Sequence, residues 1–528
     1  MSSDQSDSWL TYDRRRFLTG LGVGVTTGVA GCAGEDDPPN DSTSDGDGNG
    51  GDDVETTVKI GIANGGWDLI PARDTDFDSN KVYTLVYDNI VNLNPDAEIV
   101  PELARDWTRE SETQFVFELE EGVTFHNGSE FTAEDVQYTY QWFQNNENPR
   151  TNYVDPIEDV VVENDSTVRF DLGEPYGPFL QKMHAVLWPL SEEAFDEYGE
   201  NYNQNPVGTG PYELTTWESG NKAVLEKYDD YWKDGLPNID TIEFNILPED
   251  STKITQLETR TVDLVDRVLP NQTERLENAE DVDVITKEGV SVGRVDFNTD
   301  VEPLGDRDVR RAIAWAVDKQ RIVDVVLSGF ADPAKSIVPN SLSDYNDDIS
   351  EFNHPTGNPD RARELLNEAG YEDLSLEFLV PTRERHERQA SLLQSMLGEV
   401  GIEVAIKTVE SNAFFSTEID GDYEVAVSNF TWFGDPDTLL YLFHTDGLNL
   451  WNINNTELDD LLDGQRLTVD PAERGRLMGE IQKIIYEEAY SIFTYYPKRI
   501  QGIDTRIQDF QQYPNGSFRS LDSSTVSD

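Results

Sequence analysis

Ser391-Leu392-Leu393-Gln394-Ser395-Met396-Leu397-Gly398-Glu399-Val400-Gly401-Ile402-Glu403-Val404-Ala405-Ile406 changes its hydrophobic period in the middle. Leu392, Leu393, Met396 and Val400 fall on one helical face, Gly401 stops the helix, and Ile402, Val404 and Ile406 alternate as a strand does. The same mixture recurs along the chain. Val58, Ile60 and Ile62 alternate, as do Phe115, Phe117 and Leu119. Thr132-Ala133-Glu134-Asp135 reads as an N-cap with an acidic first turn, followed by Val136, Tyr140 and Phe143 on one face. From Asp308, the residues Val309, Ile313, Ala316 and Val317 keep helical spacing, and a single helix is expected to run on to Gly329. Asn358-Pro359 opens a helix with Leu365, Leu366 and Ala369 inside and Gly370 after its end. Asp470-Pro471 opens a long one carrying Leu477, Ile481, Ile484 and Ile485. Helices and strands mix throughout without a repeat, so the expected class is α/β or α+β with several lobes.

The first residues do not belong to that body. Asp13-Arg14-Arg15-Arg16-Phe17-Leu18 precedes a mild apolar run, Phe17 to Ala30, with four glycines. A run this short falls below the roughly 20 apolar residues of a membrane span and reads as a secretory signal. Arg14 and Arg15 resemble a twin-arginine export signal, and Val29-Ala30-Gly31-Cys32 resembles a lipobox whose thiol takes the lipid anchor. Cys32 is the only cysteine, which excludes an intramolecular disulfide and a cysteine-cluster metal site. Residues 33–56 are Gly, Asp, Ser, Asn and Pro with almost nothing apolar, and are expected to form a disordered acidic linker. Beyond it lie about 470 residues, too many for one core and enough for two or three domains.

Lys+Arg is 40 against Asp+Glu 104, a net charge of −64, and Arg outnumbers Lys. Such repulsion is relieved only where salt shortens the Debye length to about 3 Å near 1 M. The composition resembles that of a protein from an extreme halophile. A nucleic-acid partner is excluded by the lack of a basic stretch to meet phosphates.

Catalytic patterns are weak. Gly289-Val290-Ser291-Val292-Gly293 matches a nucleophile elbow, which leaves a secreted serine hydrolase using Ser291 as a distant alternative. The residues after it, Arg294-Val295-Asp296-Phe297-Asn298, alternate like a continuing strand instead of opening a helix. The five histidines, at 126, 184, 354, 386 and 444, form no i, i+4 pair, so no metal site and no cofactor are expected. Seven N-x-Ser/Thr sequons, from Asn40 to Asn515, are candidate glycosylation sites in an exported chain.

Several ordered blocks carry a resemblance. Pro101-Glu102-Leu103-Ala104-Arg105-Asp106-Trp107, Gly122-Val123-Thr124-Phe125-His126-Asn127-Gly128 and Phe131-Thr132-Ala133-Glu134-Asp135-Val136 come first. Pro206-Val207-Gly208-Thr209-Gly210-Pro211-Tyr212, then Tyr231-Trp232, Phe297-Asn298, Asp308 to Asp318 and Trp432-Phe433-Gly434-Asp435-Pro436-Asp437 follow. Together they resemble the family 5 extracellular solute-binding proteins of ABC importers, the dipeptide, oligopeptide and nickel-binding group. The resemblance implies an α/β fold of the type II periplasmic-binding-protein kind, with two lobes, a hinge and an inserted extra domain. Mapped here, residues 57–84, 206–287 and 488–528 form lobe I, 85–205 the inserted domain and 288–487 lobe II.

The resemblance further implies a protein at the extracellular face of the membrane, held there only by its lipid. It would act as a monomer, not an enzyme, and deliver di- or oligopeptides to permease subunits with cytoplasmic ATPases. A nickel chelate, a sugar or another small metabolite is the alternative ligand. A buried peptide needs charged partners at both ends. By resemblance Asp435 takes the ammonium, Trp432 forms an apolar wall, and Arg383 takes the carboxylate, with Arg385 or Arg388 as substitutes. Pro436 directly after Asp435 departs from the family's usual pattern.

Overall fold

The strand Ser491–Asp504 bonds to both halves of a twelve-stranded sheet. Its first residues pair antiparallel with Ser291–Phe297 and Ala331–Pro333. From Lys498 onward it pairs with Val282–Glu288 and Leu264–Val265. The computed structural model describes residues 56–73, 78–146, 150–342, 344–349, 355–371, 373–431 and 434–527. Arg14, Arg15, Cys32, nearly all of the acidic linker and Trp432 lie outside the described residues.

Each half of the sheet has a parallel centre. In the first, Thr57–Ile62 runs parallel to both Thr241–Ile246 and Leu264–Val265. In the second, Leu374–Pro381 runs parallel to Ile402–Val409 and Val425–Thr431. The crossover between the first two of these is the helix Glu384–Glu399, as the period change at Gly401 predicts. Its buried stripe is Leu393, Met396, Leu397 and Val400; Leu392 is only partly covered. Gly401 adopts a φ of 90°, a left-handed conformation that glycine accepts without a Cβ clash.

Side-chain caps open seven of the fourteen described α-helices. The Asn358 side chain accepts from Arg361 N, and Gly370 closes that helix at a φ of 84°. The Asp470 side chain accepts from Glu473 N at the start of Pro471–Glu487. The single helix expected from Asp308 to Gly329 is instead two, Arg307–Ala316 and Lys319–Val326. Val317 and Asp318 are extended, and Asp318 accepts from Arg321 N at 2.8 Å. Its carboxylate competes with the backbone ladder and starts a new helix there.

A separate antiparallel sheet forms within the segment expected to be inserted, in the order Ala104–Arg109, Gln114–Leu119, Thr167–Leu172, Ile157–Asn164. The helix Ala133–Asn145 opens on a full capping box between Thr132 and Asp135. Phe117, Phe125 and Phe170 of this segment join one continuous core with Ile60, Tyr212, Ile242 and Phe244. The segment therefore has its own sheet but not its own core. The second half has two large cores, one around Phe297, Phe378 and Leu393, the other around Phe443, Trp451 and Ile481, and a small third cluster of Leu379, Phe414, Tyr423 and Ala426. The expected lobe boundary at 487/488 precedes the long strand, whereas pairing passes between halves inside it, after Pro497.

Candidate functional site

The blocks that carry the resemblance first prove to be architecture. Gly208 and Gly210 lie against Val86, where an added Cβ would come within 2.1 Å of Val86 O and 2.5 Å of Val86 C. His126 N donates to Gly208 O at 2.9 Å, and the His126 ring bonds Gly210 O at 3.0 Å. Trp232 Nε1 and Tyr231 Oη donate to Asp88 at 2.7 and 3.2 Å. Arg519 then joins Asp88 to Glu102, donating to the latter at 2.9 Å. These residues fix the first lobe from inside, and none of them lines the main cleft.

That cleft, about 1250 Å³, opens between the two halves of the sheet. Its walls are the turns beyond the carboxyl ends of Thr57–Ile62, Leu264–Val265, Leu374–Pro381 and Val425–Thr431, together with the start of Ser291–Phe297. Ligands of open α/β sheets collect at such strand ends, where turns leave backbone and side chains free to face a guest. The volume suits a solute of several residues.

On the first lobe the acids of the wall are already matched. Asp68 pairs with Arg73 at 2.5 Å, and Lys81 pairs with both Asp78 and Asp266. Burial alone would raise the Asp266 carboxyl, but Lys81 and Lys253 outweigh it and hold it well below the usual range. Arg499 lies over Gly516, where a Cβ would come within 2.5 Å of its Nη2, and its buried Nε has no partner. Arg267 reaches Asp250 only at 3.7 Å.

The second lobe contributes a polar strip. Ser291 Oγ and Thr431 Oγ1 are 2.7 Å apart, and Asn429 Nδ2 donates to Thr431 Oγ1 at 3.0 Å. Asn429 Oδ1 accepts from Arg385 Nη2 at 2.9 Å and lies 2.8 Å from His386 Nε2. Because that oxygen only accepts, Nε2 carries the proton, and buried Nδ1 is left without a partner. Burial, then Arg385, lowers the His386 pKa to about 3, so the ring is neutral. Arg383, the N-cap of Glu384–Glu399, has no side-chain cap bond and donates Nε to Ser411 Oγ at 3.3 Å. Burial, then Arg385 and Arg267, push its guanidinium below the ordinary range. Among the described residues no His, Cys, Asp or Glu cluster could hold a metal ion.

Residues 98–449 match the family described as bacterial extracellular solute-binding proteins, family 5, middle. The chain belongs to this family. Relatives of family 5 include the dipeptide-binding protein of Escherichia coli K12, 25% identical over 481 residues, covering 84% of this chain and 89% of the relative. The glutathione-binding protein GsiB of Salmonella typhi is 26% identical over 479 residues, covering 87% and 93%. Among solved structures, the ABC transporter substrate-binding protein CtaP of Listeria monocytogenes superposes with a TM-score of 0.83 at 23% identity. It covers 90% of this chain and 100% of its own. The fold is thus α/β, of the type II periplasmic-binding-protein kind found in family 5, with two lobes about a cleft.

Of the residues expected to bind ligand, Arg383, Arg385 and Arg388 line the cleft and Asp435 does not. Asp435 is 1% exposed, and both carboxylate oxygens are taken by Arg474, from Nη1 at 2.7 Å and Nη2 at 2.5 Å. Asp437 N donates to the same carboxylate at 2.7 Å. The reading of Asp435 as an ammonium anchor is corrected accordingly: its charge is spent inside the protein. Its partner went unrecognised because Arg474 occupies an inward helical position, one turn before Met478 and two before Ile481. Ser291 is also corrected. It begins a strand paired residue for residue with Val425–Thr431, without the turn into a helix that an elbow needs, and its hydroxyl faces Thr431. Sequence reasoning missed Arg267, Asn429 and Arg499, which come from segments distant in the chain from Arg383. No helix among the described residues is long and apolar enough to cross a membrane.

Proposed function

We propose that this family 5 protein captures di- or oligopeptides in the interlobe cleft and delivers them to an ABC importer. The observation that carries the reading is a cleft walled by both lobes at their strand ends, in a chain similar over most of its length to a dipeptide-binding protein. Arg383, with Arg385 beside it, is the proposed seat of the peptide carboxylate. Arg385 is held in place by Asn429, while Arg383 has no carboxylate within 4 Å among the described residues. Closure of the lobes over the solute would exclude water and strengthen that pair.

Export by Arg14 and Arg15, anchoring through Cys32, action as a monomer and docking on permease subunits with cytoplasmic ATPases complete the proposal. They rest on the N-terminal pattern and on family membership. A thermal-shift panel of free and C-amidated peptides at molar salt tests the central reading. Free peptides should raise the unfolding midpoint and amidated ones should not. A midpoint unmoved by every peptide sinks it. Cys32→Ser should release the protein into the medium, and retention at the membrane would refute the anchor.

A further inference from the structure

The cleft contradicts the charge of the chain that builds it. Its wall carries eight Lys and Arg against four carboxylates, in a protein with a net charge of −64. Three of those carboxylates, Asp68, Asp78 and Asp266, are already bound to Arg73 and Lys81. The fourth, Glu384, stands 4.0 Å from Arg388 at the exposed start of its helix. No carboxylate of the described residues lies within 4 Å of Arg383, Arg385 or Arg499. Elsewhere acidic side chains outnumber basic ones more than twofold, so unpaired arginines concentrated in one cleft are not a sampling accident.

Two further features belong to the same cleft. The helix Glu384–Glu399 presents its uncapped amino end there, and its sixteen residues make it long enough to have a developed dipole. Arg499 lines the cleft, and its buried Nε donor has no partner. Meanwhile Asp435, the acid expected to receive an ammonium, is closed off by Arg474. Like charges gathered without counter-ions are held at a cost in the empty protein, and that cost is recovered when an anion enters.

We infer that the cleft selects an anionic solute with at least two carboxylates, gripped from opposite lobes by Arg383 and Arg385 on one side and Arg267 and Arg499 on the other. This deepens the peptide reading and rests on it: the favoured peptide is acidic, and its free amine is dispensable. Two carboxylates spanning the cleft tie the lobes together, so ligand charge itself promotes closure. A neutral peptide supplies one carboxylate and leaves the opposite arginines bare.

Calorimetry on the full chain in molar KCl decides it, with Ala-Ala, Glu-Glu, N-acetyl-Glu-Glu and tricarballylate as probes. Glu-Glu and its acetylated form should bind within about threefold of each other and at least about tenfold more tightly than Ala-Ala. Arg383→Gln and Arg499→Gln should each weaken Glu-Glu about 30-fold, while changing Ala-Ala less for the arginine it does not reach. Arg383→Lys should recover part of the loss, which a merely misfolded variant would not do. Binding of tricarballylate and not of peptides would uphold the anion site and dismiss the peptide reading. Ala-Ala bound as tightly as Glu-Glu would overturn the anion inference and leave the peptide reading standing. A large loss on acetylation, or no binding by any probe, would overturn it too.

Discussion

Two groups of arginines lie on the second lobe and are used in opposite ways. In the seam against the segment with the four-stranded sheet, Arg474 grips Asp435 and Arg466 grips Asp437, with Nε and Nη2 at 2.7 and 3.0 Å. Gln465 bridges the two pairs, accepting from Arg474 at 3.1 Å and donating to Asp437. Lys182, from the other side of the seam, reaches Asp437 at 3.7 Å and also bonds Thr438. Burial, outweighed by Arg466 and Lys182, leaves the Asp437 carboxyl far below its usual range. Every charge there has a partner. In the cleft, Arg383 and Arg385 face each other's positive charge with only neutral acceptors nearby. Paired arginines hold the protein together, and unpaired ones wait for a ligand. Residue type alone does not separate the two uses.

The strongest way to break this comparison is to strip one partner from the seam. Arg474→Met should destabilise the protein by about 3–5 kcal/mol, because Asp435 is left buried and uncompensated. The double variant Arg474→Met/Asp435→Leu should regain most of that, read by urea denaturation at molar salt. A loss of ligand affinity in Arg474→Met protein that is still folded would place Asp435 in the site after all.

The cleft should respond the other way. Arg383→Gln should cost about 2 kcal/mol of binding, roughly 30-fold, for an acidic peptide. Its unfolding free energy should stay within about 0.5 kcal/mol of the parent, since no carboxylate loses a partner. Equal losses of affinity and stability would erase the distinction between the two groups.

Acidification separates them again. Burial lowers His184 to about 4 and His386 to about 3, from an ordinary value near 6.5. Both stay neutral when folded and bind protons when unfolded. Their contribution is therefore complete above pH 6.5 and is lost as pH falls from there toward 4 and 3. At pH 5.5 each should cost about 1.4 kcal/mol. His184→Gln and His386→Gln should each flatten the stability profile by that amount. A saturating anionic ligand should shrink the His386 share, because negative charge beside the ring favours its protonated form, and leave the His184 share intact. Identical effects of ligand on both would separate His386 from the cleft.

The smallest expected effect is at Gly516. At a φ of 80°, alanine is strained by about 1 kcal/mol, and its Cβ would collide with the Arg499 guanidinium. Gly516→Ala should lower stability by that amount and weaken an acidic peptide more than a neutral one. An unchanged preference between the two peptides would remove Arg499 from the site.

Local order fixes much that could be read before the structure. The apolar stripe Leu393, Met396 and Val400, the stop at Gly401 and the strand Ile402, Val404 and Ile406 form one crossover, because helix and strand periods are properties of neighbouring residues. The caps at Thr132, Asn358 and Asp470 were equally readable, since a short polar side chain just ahead of an apolar stripe meets N–H groups two or three residues on. The break at Asp318 was missed because a single residue's carboxylate interrupted an apolar spacing that otherwise continued. The blocks Glu102, Gly208-Thr209-Gly210 and Tyr231-Trp232 pointed to the right family although they do not line the cleft, because they pack the first lobe.

What sequence alone determined is therefore the class, the family, the element pattern and the charge. Only the tertiary structure decided which charges cancel. Asp435 and Arg474 lie 39 residues apart and Arg383 and Arg499 more than a hundred, so pairing depends on how distant strands and helices converge, which no local period encodes. Spacing along the chain sets what each segment becomes; electrostatic partnership is settled in space, where a few ångströms decide whether an arginine is neutralised by its own protein or left for a solute.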